Sequence, residues 1–396
     1  MNLFIRLRMP YLLENTQLRT VRWLVRLAEN DALRRARLII LEHILPTTVE
    51  YISHLKSVDV DIFALLAKPY SIDDAAAKLL ESSGTKPILI TYDQLETSTF
   101  LDDLLNEAIH ASKNDTRPIL ILDVGGYFAE PLKRLSPEAP QYISGIVEDT
   151  TFGHNRYLKA VGDIPIPVFS VAKSALKEIE ARFVGRDAVA AAESVLRGLG
   201  VSIAGRNALV IGYGMIGSNV ARALRNQDVI VQVYDKEDFK NLSAFIDGFH
   251  INAKRKLLEH ADIIFAATAD RALVFREIEE CKDNVILASV GSKNTEFDMH
   301  KLEEQALSRT PIGRHVAKYC LANGHTVMVI KEGTAVNFLL PSLPVEILDL
   351  VFSEILVCMT TLLTRPADYP AGQKVYEVGS ADLSDISKKW LRFVNN

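Results

Sequence analysis

Two groups of residues in this 396-residue chain have the types and spacing to do chemistry. The first is the run Ala208-Leu209-Val210-Ile211-Gly212-Tyr213-Gly214-Met215-Ile216-Gly217, a buried-strand pattern entering three glycines with a helical pattern beyond them. Glycine at 212 permits a tight turn, at 214 it lets the main chain approach a diphosphate, and at 217 it lets helix and strand pack closely. Phosphate oxygens then meet a helix N-terminus, with Met215 and Ile216 among the cofactor-contacting positions. The next strand pattern ends at Tyr234-Asp235, and Asp235 stands about twenty residues past the turn, where a carboxylate accepts from both hydroxyls of an adenosine ribose. An acid there repels a 2′-phosphate, so the pattern predicts NAD rather than NADP. The second group lies earlier: Asp123-Val124-Gly125-Gly126 closes an apolar run, and Glu148-Asp149-Thr150-Thr151 closes another.

Such groups need a scaffold that holds strand ends and helix starts together. From residue 38 onward, short apolar runs alternate with helical segments: strand 38–44, helix 48–60, strand 62–67, helix 72–83, strand 87–90. This is the rhythm of an α/β protein with a parallel sheet. A strand at 118–122 leads into the double glycine, and ligands collect at such carboxyl ends. Residues 171–198 form one long helical pattern, closed by Gly200, that enters a second domain. That domain runs from a strand at 207–211 through the glycine turn to a helix at 219–225 and strands at 229–234, 263–268 and 285–290, ending near Asn337. Residues 343–363 form a long apolar helix whose Glu346, Asp349 and Glu354 argue against a membrane span, and it is expected to pack back on the first domain. The predicted organisation is a doubly wound α/β substrate-binding domain at 1–185, completed by 338–396, and a Rossmann NAD-binding domain at 186–337, with a cleft between them.

With 48% hydrophobic and 24% charged residues and a net charge of −5, the composition is that of an ordinary globular protein and gives no electrostatic reason to expect nucleic acid. A small molecule is the expected partner. Cys281, Cys320 and Cys358 are widely separated and form no CxxC pair, which fits a reducing cytoplasm and suggests no metal. The stretch from Met1 to Leu13, with Arg6 and Arg8, has no apolar run long enough for export or insertion. Arg19, Arg22, Arg26, Arg34, Arg35 and Arg37 recur at helical spacing among Leu, Val and Trp23 and read as a solvated or subunit-facing helix side.

Further segments line up in order and spacing: Leu122-Asp123-Val124-Gly125-Gly126, Gly145-Ile146-Val147-Glu148-Asp149-Thr150-Thr151-Phe152-Gly153, Ile166-Pro167-Val168, Ile203-Ala204-Gly205 and Gly333-Thr334-Ala335-Val336-Asn337. Through them the chain resembles the S-adenosyl-L-homocysteine hydrolase family along most of its length. The resemblance implies a borrowed oxidation: NAD takes hydride from ribose C3′, the ketone acidifies C4′, the 5′ group leaves, water adds and hydride returns. By the same resemblance Thr150 and Thr151 touch the nicotinamide ribose, Asp235 the adenosine ribose and Asn337 the carboxamide. Thr48 and Glu50 fall on positions that hold adenine. Lys177 falls on the lysine that helps deprotonate the 3′-hydroxyl, and Asp149 stands for a glutamate of similar function. A lysine is physically apt there, because burial and a neighbouring positive nicotinamide both favour the neutral amine.

The substrate half departs from the family. Pro46 stands where the family has a catalytic histidine, with His43 the nearest substitute. Val124 and Tyr127 replace acids around the double glycine, Ala181-Arg182 an aspartate-asparagine pair, Arg186 a cysteine and Ser292 a histidine, and a late loop is shortened to Leu340-Pro341-Ser342. The chain stops at Asn396, after Lys388-Lys389-Trp390, without the family's lysine-tyrosine tail, which predicts freer cofactor exchange and a homodimer. Each lost acid–base group removes about 10²–10⁴ in rate. Three readings follow. In one, an NAD-dependent enzyme oxidises the ribose 3′ position of an adenosine-like nucleoside with altered downstream chemistry, Lys177 acting as base and Asp149 orienting it. In another, a pseudoenzyme binds NAD and serves regulation. In the third, an adenosylhomocysteinase has a relay rebuilt from His43, Glu148, His154 or Arg182. His154 otherwise reads as a surface loop histidine and Glu148 as a solvated carboxylate, while Arg182 and Arg186 either line the cleft or form a salt-bridged helix face.

Overall fold

The structure is a computed structural model that describes residues 17–27, 31–291, 295–340 and 343–395. The expectations placed on Met1 to Leu13, Ser292, Pro341, Ser342 and Asn396 lie outside the described residues. The chain divides into two compact units, one of Met1–Lys177 with Pro344–Asn396 and one of Glu178–Leu343.

In chain order the first unit contributes β1 (Arg37–Ile44), β2 (Asp61–Ile72), β3 (Ile88–Leu89), β4 (Ile119–Asp123), β5 (Ile143–Glu148) and β6 (Val168–Ser170). The second contributes β7 (Asn207–Ile211), β8 (Ile230–Tyr234), β9 (His250–Ile251), β10 (Ile263–Ala266), β11 (Val285–Ser289), β12 (Ser308–Ile312), β13 (Val316–Cys320) and β14 (Thr326–Ile330), and β15 (Val375–Tyr376) returns to the first.

The first sheet has the order β15-β6-β5-β4-β1-β2-β3, with every pairing parallel. Strand β1 is apolar on both faces because both are covered. Its alternation sends Leu38 and Ile40 to a core shared with Phe352, Ile355 and Met359, and Ile39 and Leu41 to a core shared with Leu104, Leu105 and Ala108. Strand order reverses between β1 and β4, the switch point where an open α/β sheet leaves a crevice at its carboxyl edge.

The helix Val345–Thr364 is long and apolar enough to cross a membrane, yet most of its apolar window is buried within the first unit's core. Its Asp349 accepts from the amides of Thr20 and Val21, capping the helix Arg19–Val25. On that helix Arg19, Arg22 and Arg26 face solvent, as the spacing predicts. Arg37 departs from that series: it lies on β1, is buried, and pairs with Asp61 at 2.9 Å and Asp115 at 2.7 Å.

The second sheet has the order β12-β13-β14-β11-β10-β7-β8-β9. Its strands β9-β8-β7-β10-β11-β14 run parallel in the Rossmann order, reversing between β7 and β10. The antiparallel extension β12-β13-β14 is an addition that apolar periodicity alone did not announce.

Candidate cofactor and active site

Backbone geometry in the second unit explains each glycine of the turn. Gly212 has φ +95°, and a Cβ there would lie 2.5 Å from the Ala267 carbonyl oxygen. A Cβ on Gly217 would lie 1.8 Å from the Gly212 carbonyl oxygen, so this contact between turn and helix admits glycine alone. At Gly214, which caps the helix Met215–Arg225, a Cβ would meet no protein atom within 4 Å. The crowding is therefore internal at 212 and 217, whereas the space at 214 is open, at the N-terminus of a helix whose first residues are Met215 and Ile216.

Asp235 follows β8 and is buried. Its Oδ2 accepts from the Tyr213 amide at 2.6 Å and its Oδ1 from the Glu237 amide at 2.9 Å. Each oxygen keeps a lone pair with which to accept a further hydrogen bond. Asn337 is buried just past Ala335, which bridges to Ser289 at the end of β11. Glu296, missed by the sequence reading, accepts from the amides of Thr268 and Ala269 and so fixes the loop after β10. Burial pushes its carboxyl up to about 7.

In the first unit, polar side chains gather where the strands end. Asp123 is in register with Glu148 and Glu148 with Ser170, so the carboxyl ends of β4, β5 and β6 carry a continuous polar rung. Glu148 is fully buried rather than solvated, correcting the sequence expectation. It accepts from the amides of Gly126 at 2.7 Å and Thr150 at 2.6 Å and from the Thr150 hydroxyl at 2.7 Å, tying the double glycine to the next loop. Asp123 Oδ2 accepts from the Phe128 amide and the Tyr157 hydroxyl, and burial raises its carboxyl. Thr150 caps the helix Thr151–Ala160 through the Gly153 amide, and Lys173 Nζ lies 3.5 Å from the Thr151 hydroxyl.

Lys177 and Asp149, assigned through distant segments, meet: Nζ lies 2.9 Å from Oδ1, with both side chains largely buried. Thr48 and Glu50 carry local duties. The Thr48 hydroxyl donates to the His43 carbonyl at 2.6 Å, and Glu50 Oε1 accepts from the amides of Gln17 and Leu18 at 2.8 and 3.0 Å.

His43 Nδ1 contacts the Ser71 hydroxyl. His154 is a buried helical residue rather than a surface loop histidine. Its Nδ1 lies 2.9 Å from Ser170 Oγ, and burial lowers its basicity. Arg182 and Arg186 are exposed. Val124 is a core residue. In the first unit the buried charged residues Glu42, Lys68 and Glu354 also escaped the sequence reading as site candidates. Lys68 Nζ lies 5.4 and 5.9 Å from the ring centres of Tyr70 and Tyr127, and burial pulls its ammonium down against the opposing effect of Glu148, Glu42 and Asp123.

A Rossmann unit with this turn and this acid defines the class: an NAD-binding α/β protein carrying a second, doubly wound domain with a polar switch point. Residues 183–341 match the family described as S-adenosyl-L-homocysteine hydrolase, NAD binding domain. The chain is 29% identical to an adenosylhomocysteinase of Thermotoga maritima, over 72% of this chain and 70% of that one. It is 27% identical to an adenosylhomocysteinase of Thermoplasma acidophilum, over 85% and 87%. It is also 30% identical to an S-inosyl-L-homocysteine hydrolase of Methanopyrus kandleri, over 60% and 57%. Residues 183–341 therefore match an NAD binding domain of the S-adenosyl-L-homocysteine hydrolase kind, the chain is similar to adenosylhomocysteinases along most of its length, and its cofactor is NAD.

Proposed function

We propose that the protein is an NAD-dependent enzyme that oxidises the ribose 3′ position of an adenosine-like nucleoside and then departs from the ordinary hydrolase sequence. NAD, when bound, supplies a hydride acceptor that can return what it takes. The chain's own residues do the proton work. Lys177 takes the proton of the 3′-hydroxyl, and Asp149 fixes the position of its Nζ. The single observation that carries this reading is the 2.9 Å Lys177–Asp149 pair at the edge of a switch-point sheet.

Thr48 and Glu50, the family's base-holding positions, are engaged with main-chain groups of their own unit, which favours a ligand held differently from adenine in the parent enzymes. The relatives act on S-adenosyl and S-inosyl compounds by their names, so the base is the part of the substrate most open to change. The proposed setting is a cytoplasmic homodimer.

The test is to load the protein with NAD, add adenosine, inosine, S-adenosylhomocysteine or S-inosylhomocysteine, and follow the absorbance of NADH. A rise with at least one nucleoside, lost in Lys177→Ala, is the expected result. No rise with any of the four contradicts the reading.

A further inference from the structure

Two buried acids flank the Lys177–Asp149 pair from separate elements. Glu42 ends the apolar part of β1 on the face covered by the helix Val345–Thr364, and its Oε1 accepts from the His43 amide at 2.6 Å. Glu354 lies on that helix and is fully buried. Its Oε2 accepts from the Ser174 hydroxyl at 2.7 Å, and Ser174 Oγ in turn accepts from the Lys177 amide at 3.1 Å. Glu354 Oε1 has no hydrogen-bond partner among the described residues. Tyr51, also buried in this core, stacks its ring on Phe352 of the same helix, two residues before Glu354, at 4.5 Å.

We propose that Glu42 and Glu354 are positioning residues of this site, neutral carboxylic acids that hold the Lys177–Asp149 pair free of excess negative charge. The proposal rests on Lys177 as the base. Losing either proton sets a further anion near the pair, which favours the ammonium form of Lys177 and disables it as a base. The groups acting on Glu42 are Asp149, Lys68, Lys177 and the His43 amide; those acting on Glu354 are Ser174, Asp149, Lys177 and Glu377, with Cys358 beside it on its own helix. Burial is the largest cause in both, and each carboxyl is pushed up to about 8. A lysine base acting alone gains activity as pH rises, whereas this arrangement loses it above about pH 8.

Two readouts separate this inference from the functional reading beneath it. The first uses the holoprotein and needs no substrate. Both acids bind protons more tightly folded than unfolded, so the stability they contribute is complete below about 4.5 and lost as pH rises to about 8. Relative to the parent, the melting temperatures of Glu42→Gln and Glu354→Gln are expected to rise by roughly 5 °C between pH 5 and pH 8. A difference that stays flat or falls overturns the inference. Should a glutamine variant fail to fold, infrared difference spectra of the parent between pH 6 and pH 9 replace it. Loss of protonated carboxyl absorption across that range supports the proposal, and its absence overturns it.

The second readout is NADH formation against pH. Because the remaining acid still titrates, the loss above pH 8 is expected to persist in each single variant and to move upward by at least one pH unit in the double variant Glu42→Gln/Glu354→Gln; an unmoved limb in the double variant overturns the inference. A parent that forms no NADH at any pH refutes the functional reading instead, with the stability result still deciding whether the acids are protonated.

Discussion

Lys177 Nζ lies 2.9 Å from Asp149 Oδ1, joining the first turn of the helix Ala175–Gly198 to the residue that follows strand β5. The two elements are fixed independently, one by the Ser174 cap and the other by Glu148 gripping the double glycine, so the pair is preorganised. Replacing Lys177 by Ala is expected to lower nucleoside-driven NADH formation by about 10²–10⁴ while leaving NAD affinity unchanged. Stopped-flow absorbance and calorimetry on the same preparation check both halves.

If Asp235 is the acceptor for the ribose diol, as its place after the second Rossmann strand predicts, Asp235→Ala is expected to weaken NAD by roughly 10- to 100-fold, the worth of a charge-assisted hydrogen bond. Titration calorimetry reads this directly, and an unchanged dissociation constant rules out the assigned contact.

Gly214 and Gly217 make a paired test. Alanine at 217 forces a Cβ into the Gly212 carbonyl and is expected to cost about 1–3 kcal/mol of stability, together with NAD binding. Alanine at 214 meets open space, so thermal unfolding of the apoprotein stays as it was and NAD affinity alone falls. Equal effects in both variants remove the distinction.

Much of this was legible beforehand because periodicity and local glycine chemistry are short-range. The glycine turn, the acid at the end of the strand after it and the alternation of strands with helices follow from patterns within a few tens of residues. The polar interior was harder to see. Glu42 sits inside Leu38–Ile44-like apolar text and Glu354 inside a helix apolar enough to suggest a membrane, and each has its partners far along the chain. A lone charge in an otherwise buried run was the available signal. The hairpin β12-β13-β14 escaped for a different reason: β12 is exposed along most of its length and offers no alternating apolar face.

Glu50 tests where resemblance and geometry diverge. Its carboxylate accepts two amides at the start of the helix Arg19–Val25, so Glu50→Gln is expected to lower stability by about 1–3 kcal/mol and to change nucleoside affinity less than twofold. A variant that melts like the parent but loses nucleoside binding restores the adenine-holding role.

The most direct test of the account uses adenosine carrying deuterium at C3′, incubated with the NAD-loaded protein, followed by mass spectrometry of the cofactor. The account predicts NADH one mass unit heavier than that formed from unlabelled adenosine. No NADH, or NADH without the label, contradicts ribose 3′ oxidation of that nucleoside.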